Sequence, residues 1–592
     1  MSSEIANKLS EQTKTLVTRF ESRLGQFAGR GDLLGALRHL NGDDANRFAR
    51  EFFGEGEHLA VGVDGSMDYD ERMQMILFYS NATTYSCPFS VREEMSFKLN
   101  EVKRAARLSA SSAIPLWSED VSDVLGETFD VELELELEHS MDRIPNAFMT
   151  VAEMYLALRA CESARLIFLD RPISGTYSSL ARDVRLLMRR RNTNLARIAH
   201  RTEQEVLLDI GLSLNVGAPT QELPRRKRFL QNRVIRKLLE GSESPESLSA
   251  KLGVSDAQVK KALKDLRKID ELSGGLLLDD SGGSEIALRP GVQGFWERTY
   301  SLALEYCSGV YERASSPLNV EGDSWLTVLD INTVAFILLQ RLCEVAQQKK
   351  VLVVGIAKDT TATDISRAVL PFIIKSKIIE AEKNPPKLKN DKAFLSILSA
   401  ENRGTRPPWR TLGYDSAFST IVCPSSVGDG EFRSARKFVS RERLFVRGFF
   451  QSRSMGKEGR VRSPVFLFDR LYDPEYDSGS VHDLKVEENY SPAMVSPYCE
   501  GNEPSRMSNL VLKILSVTDN PEVYEAFGHN QLLYLADKAV KAEIKLMKSS
   551  LRGVADLRMG SMSKREEVYG IATTYREQRN GVETARMRAA GK

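Results

Sequence analysis

"LAVGVDGSMDYD", residues 59–70, drives an apolar run into a single carboxylate, Asp64, followed by a glycine and a serine. Asp-Gly is a common turn pair, so on its own the motif marks a strand end. Two later stretches change its meaning. "ARLIFLD" is a second apolar strand ending in an acid, Asp170. Before it, "NAFMTVAEMYLALRACES" reads as a helix that places Glu153 on the stripe occupied by Met149, Leu156 and Ala157.

These elements lie in a consistent order. "HLAVGVDGS", "RMQMILFYSNATTYS" and the alternating "VELELELEH" (131–139) read as three consecutive strands, the last with its glutamates on a solvated face. Helix, strand, helix and the strand "KKVLVVGIAKD" follow. The predicted fold is therefore α/β: a ribonuclease H-like mixed sheet with flanking helices, interrupted by an inserted helical, winged-helix domain. The expected divisions are a helical region over 1–50, the first part of the sheet domain over 51–180, a basic insertion over 181–295, and the second part with carboxyl-terminal helices over 296–592. The amphipathic amino-terminal helix is expected to pack on its own domain.

Composition bounds the function only loosely. The chain has 592 residues, 42% hydrophobic and 28% charged, with a net charge of +1, the profile of a globular protein of several domains. The amino terminus lacks a basic region followed by an apolar core, and the longest apolar runs fall far short of a bilayer span. Six cysteines without a CxxC pair argue against a zinc knuckle or a disulfide framework. A soluble, cytoplasmic protein with no membrane partner is expected.

In the predicted sheet the first strand and the strand after the first helix are neighbours, which brings Asp64 to Asp170. With Glu153 nearby, three carboxylates would repel one another and lose hydration. A hard divalent cation relieves both penalties, so Mn²⁺ or Mg²⁺ is expected, as two ions roughly 4 Å apart in the two-metal arrangement that hydrolyses phosphodiesters.

The order "VGVDGS", Glu153, "LIFLD" resembles the NurA nucleases, archaeal enzymes of DNA end resection. "VLVVGIAKDT" is similar to that family's lysine-bearing strand, and "NPEVYEAFGHN" to its carboxyl-terminal block. The resemblance implies that Asp64, Glu153 and Asp170 ligate metal, that His529 is a further ligand or orients the attacking water, and that Lys358 neutralises a phosphate. It also implies a homodimer working beneath a HerA-type hexameric translocase in double-strand-break repair. The sequence departs from the family where "LDRPISG" puts Arg171 and Pro172 after the second aspartate, and where the usual tyrosine position falls near Asn520 or Pro521, with Tyr524 the nearest candidate. Asp359 and Asp364 read as caps of the following helix.

Arginine and lysine concentrate in the insertion. "RDVRLLMRRRNTNLARIAHR" contains Arg189, Arg190 and Arg191, and "RRKRFLQNRVIRKLL" contains Arg225, Arg226 and Arg228. Two short helices around "LGVS" and a glycine-tipped hairpin then suggest a winged helix presenting Lys260, Lys261 and Lys264 to DNA. In "RSARKFVSRERLFVRGFFQSR" the phenylalanines fall at core spacing. The alternative function is a non-catalytic winged-helix DNA-binding or scaffolding protein on the same fold.

Overall fold

Sheet pairing explains why the first hundred residues read as strand after strand. The computed structural model describes residues 2–562 except 28, 73–74, 127–140, 222–229, 273, 280–284, 314–317, 321–323, 382–385, 387, 403–404, 419–421, 425–431, 435–443, 457–460, 474, 478–483, 488–491, 496–498, 501–503 and 521. Gly56–Arg72 (β1), Met75–Val91 (β2) and Lys103–Trp117 (β3) form an antiparallel meander. Leu166–Leu169 (β4) and Leu352–Ala357 (β5) lie parallel to β1 and to each other. Trp409–Thr411 (β6), Phe445–Gln451 (β7) and Phe466–Leu471 (β8) complete the far side in antiparallel pairing. The resulting order is β6-β7-β8-β5-β4-β1-β2-β3, a mixed sheet in a mixed α/β chain.

Two expectations are corrected here. The third strand is Lys103–Trp117, whereas "VELELELEH" lies outside the described residues. Ala110, Ser112, Ile114 and Leu116 are its buried positions; small residues at half of them give only a weak apolar alternation to read. Asp64 does not end its strand, because β1 continues through eight further residues paired with β2. Residues 1–50, expected as a helical region, hold the helices Ser2–Gly25 and Gly42–Phe53 and one short strand, Leu37–His39, which pairs with β6 at the sheet edge.

The flanking helices follow from the two-residue period of the strands. Arg143–Ala160 (α1) and Ile173–Arg190 (α2) pack on the face presented by Val61, Val63, Ile167 and Leu169. The chain then leaves the sheet. Leu230–Glu240 (α3), Pro245–Leu252 (α4), Asp256–Leu272 (α5) and the antiparallel ribbon Leu278–Asp279 with Ala287–Leu288 share a separate core of Val234, Leu248, Val259, Leu266 and Ile286. Ser244 caps α4, and Gly253 ends it in the left-handed region. Val328–Gln348 (α6) returns to the α1 face. Arg506–Val517 (α7) and the start of Gln531–Met562 (α8) cover the opposite face, on Ala60, Phe168, Val354 and Ile356. The amino-terminal helix Ser2–Gly25 leaves Leu9, Leu16, Val17 and Phe20 exposed instead of packing them on its own domain. The phenylalanines of β7, Phe445, Phe449 and Phe450, are core. Among the described residues, no helix is long and apolar enough to cross a membrane.

Direct contact between α8 and β1 depends on Gly62. A Cβ there would lie 2.7 Å from Leu532 Cβ and 3.1 Å from the Leu532 carbonyl carbon, so only glycine admits the helix this close. Gly62→Val is expected to push α8 outward, lower stability by about 1–3 kcal/mol and leave the β1–β2 meander folded. Urea unfolding followed by far-UV circular dichroism, with hydrogen exchange along β1 and β2, checks both parts.

Candidate metal centre

Three parallel strands bring three charged side chains to one level. The pairing of β1 with β4 ends at Val63 and Leu169, and the Asp170 N–H donates to the Val63 carbonyl at 3.3 Å. Asp64 and Asp170 therefore emerge side by side where β4 stops. β5, parallel to β4, ends at Ala357, and the next residue, Lys358, sets its Nζ 2.6 Å from Asp170 Oδ2. Carboxyl-terminal edges of parallel strands are where α/β sheets place their ligands.

A fourth group comes from α8. Seated on Gly62, this helix carries Asp537 over the strand ends, where ligating oxygens of Asp64, Asp170 and Asp537 all lie within 4.8 Å of one another. The sequence analysis missed Asp537. Its signal was available: Asp537 lies four residues after buried Leu533 and three before buried Val540, an acid on an apolar stripe like Glu153. The Lys541 pairing one turn on, at 2.7 Å, makes the same residue read as an ordinary surface ion pair.

Asp64 is the most constrained member. It is 5% exposed. Its Oδ1 accepts the Gly65 N–H at 2.8 Å, while Oδ2 is buried with no hydrogen-bond partner among the described residues. Burial, then Asp170 and Glu153, push this carboxyl up to about 9. Burial also raises Asp170, with Lys358 pulling it back down.

Glu153, expected to be a metal ligand, stands outside the set of carboxylates within 4.8 Å. It reaches β1 from the α1 side, where the missing side chain of Gly65 makes room; a Cβ on Gly65 would collide with Glu153 Oε1. Its carboxylate is in contact with Arg171 Nε, and Arg171 Nη1 donates to Thr150 Oγ1 at 2.8 Å. Burial nevertheless pushes Glu153 up to about 7 against the pull of Arg171.

Asp469 on β8 holds Arg171 and Asp170 in register with the strands. Its carboxylate accepts the N–H groups of Ile173 and Ser174, each at 2.9 Å, and so caps α2 directly after the Asp170-Arg171-Pro172 turn. Gly355, opposite Asp469 in the pairing of β5 with β8, lets this turn approach; a Cβ there would lie 2.5 Å from the Arg171 carbonyl oxygen. Arg447 extends the network, donating to Ser174 Oγ at 2.7 Å and to Asp364 Oδ2 at 2.7 Å. Asp364, expected as a helix cap, thus serves Arg447 and Tyr414, while Asp391 receives the N–H groups of Ile365 and Ser366. Asp359 is exposed and faces Lys392 at 3.6 Å.

The remaining expected residues are placed as follows. His529 is buried against Phe466, neither ring nitrogen has a hydrogen-bond partner among the described residues, and it is not part of the 4.8 Å cluster. Burial and the Lys358 charge hold it down to about 3, so the imidazole is neutral. Tyr524 is 71% exposed. Arg189, Arg190 and Arg191 end α2, exposed, about 27 Å along the helix from the carboxylates; at a helix carboxyl terminus they complement the backbone dipole. Lys260, Lys261 and Lys264 are exposed on α5. Arg225, Arg226 and Arg228 lie outside the described residues.

No family model matches the sequence, and no curated protein matches it. Among solved structures the chain is similar to one described as the NurA nuclease from Sulfolobus solfataricus, at 12% identity and a TM-score of 0.36, over 93% of this chain and 97% of that one. It is similar to NurA with manganese at 11% identity and 0.34, over 92% and 98%, and to NurA bound to dAMP and manganese at 10% and 0.29, over 84% and 88%. Likenesses this distant carry no assignment, and the reading of the site rests on its own geometry.

The Asp64 shift makes a stability prediction. A carboxyl raised from 3.8 to about 9 in the fold favours the native state when protonated, so this contribution is fully present below about 4 and is lost as the pH rises towards 9. Asp64→Asn should therefore raise the melting temperature of protein in EDTA at pH 7 to 8, and flatten its decline with pH over that window. Differential scanning calorimetry of both proteins from pH 5 to 9 checks the sign.

Proposed function

We propose that the chain is a metal-dependent DNA nuclease of the NurA type on a ribonuclease H-like sheet, hydrolysing phosphodiester bonds in single-stranded DNA and at duplex ends. The observation that carries this reading is the partnerless, buried Asp64 Oδ2 within a cluster of three carboxylates. A fold that only needed a turn at this position would expose Asp64 or pair it, because an uncompensated buried charge costs several kcal/mol. The run of three antiparallel strands followed by parallel β4 and β5 supports the ribonuclease H-like assignment.

The donor set fits a hard divalent cation, being all oxygen and anionic. Asp64, Asp170 and Asp537 would hold it, and when bound it polarises a phosphoryl oxygen and makes a nucleophile of water at neutral pH. The chain's own groups do the rest. Lys358, tethered to Asp170, offers a fixed positive charge to a phosphate oxygen as negative charge develops. His529, neutral beside Lys358, is able to accept a hydrogen bond at a ring nitrogen. The Asp469 cap keeps the Asp170 turn rigid.

The insertion supplies DNA holding on this reading. α3 to α5 with their ribbon form a winged helix whose exposed Lys260, Lys261 and Lys264 contact phosphates, positioning the backbone without reading bases. The chain would act as a homodimer beneath a HerA-type translocase in end resection.

Nuclease assays on single-stranded DNA, duplex DNA and RNA with Mn²⁺, Mg²⁺ or EDTA test the proposal. Cleavage of DNA that EDTA abolishes is expected. Asp64→Asn and Asp170→Asn should each lose at least about a thousandfold in rate, which is the scale of removing a group that stabilises the transition state. Undiminished cleavage in both variants overturns the metal-site reading, and tight, salt-sensitive DNA binding with no cleavage under any condition leaves the scaffolding alternative. Converting Lys260, Lys261 and Lys264 together to alanine should weaken DNA binding evenly across sequences and flatten its salt dependence.

A further inference from the structure

Glu153 has a cation already. Its carboxylate contacts Arg171, whose side chain is 15% exposed, and Thr150, one turn earlier on α1, anchors the guanidinium. Arginine does not deprotonate in proteins, so this is a permanent positive charge. Glu153 is also near enough for its charge to act on both Asp64 and Asp170. It is therefore the carboxylate that a second ion beside the first would need.

Charge balance leads the same way. With all four carboxylates ionised, as a bound divalent cation would leave them, Asp64, Asp170, Asp537 and Glu153 set against Arg171 and Lys358 leave two negative charges, which a single divalent ion balances. Lys541, the partner of Asp537, has a side chain 60% exposed to solvent and is screened there. A second ion would make the buried cluster positive and would have to displace Arg171 from Glu153.

We propose that Arg171 stands in the place of a second metal ion, so that the free protein binds one divalent cation per chain, on Asp64, Asp170 and Asp537. This rests on the metal reading above and departs from the two ions expected from the sequence. Arg171 is then a positioning residue, holding Glu153 away from the ion.

Mn²⁺ binding to the full chain without DNA tests it, by calorimetric stoichiometry and by electron paramagnetic resonance. Wild type is expected to take up one ion, with the spectrum of isolated Mn²⁺. Arg171→Gln, which frees Glu153 and keeps a polar contact for Thr150, is expected to take up two, with signals of a spin-coupled pair. Arg171→Lys should remain at one. Two ions of similar affinity in wild type overturn this inference and leave the metal reading intact. One ion in both wild type and Arg171→Gln overturns the role given to Arg171. No binding to wild type sinks the metal reading itself. Should Arg171→Gln fail to fold, the wild-type stoichiometry and spectrum decide alone.

Discussion

Carboxyl groups crowded together, with Asp64 buried and Asp170 and Asp537 half-buried, are the constraint around which this molecule is organised. Asp64 and Asp170 leave neighbouring parallel strands at the same height, and Asp537 is lowered onto them by a helix. The chain offsets part of the repulsion with Lys358 on Asp170 and Arg171 on Glu153, and leaves Asp64 Oδ2 without a hydrogen-bond partner among the described residues. Stability is given up at this point, and the surrounding core must supply the difference.

Close approach is what makes the arrangement possible, and glycine is what makes close approach possible. Gly62 lets α8 rest on β1, Gly65 lets Glu153 come up from the opposite face, and Gly355 lets the Arg171 turn press on β5. Each acts by lacking a side chain in a crowded place rather than by an unusual backbone angle. The Asp469 cap of α2 and its Arg447 partner then fix the turn that carries Asp170. Distant parts of the chain, residues 62, 170, 355, 469 and 537, thus converge on one end of the parallel strands.

The insertion is built on different terms. Its helices and ribbon surround a core separate from the clusters on either face of the sheet, and its exposed lysines lie on a helix of that core. A crowded acidic centre on the sheet and a module with exposed lysines are thus built around different cores.

Much of this was legible in the residues. Apolar runs ending in Asp64 and Asp170, and their parallel adjacency, follow from strand periodicity and the rules of strand connection. The basic helices and hairpin of the insertion follow from turn residues and charge spacing. Lys358 was legible at the end of its strand, though not its contact with Asp170. What could not be read was which acids meet. Glu153 and Asp537 both occupy apolar stripes of helices, and no local pattern separates them. Their fates diverge because α1 reaches β1 from the face where Arg171 waits, while α8 reaches it from the face to which Asp64 points. Alternation along the strand settles the neighbours of Asp64 only once the sheet is assembled and each helix has been assigned a side. The sequence by itself determined the two strands that deliver Asp64 and Asp170 and the strand that ends at Lys358; tertiary packing alone decided the rest of the sheet and which third carboxylate joins them, because that depends on the sheet face and not on spacing along the chain.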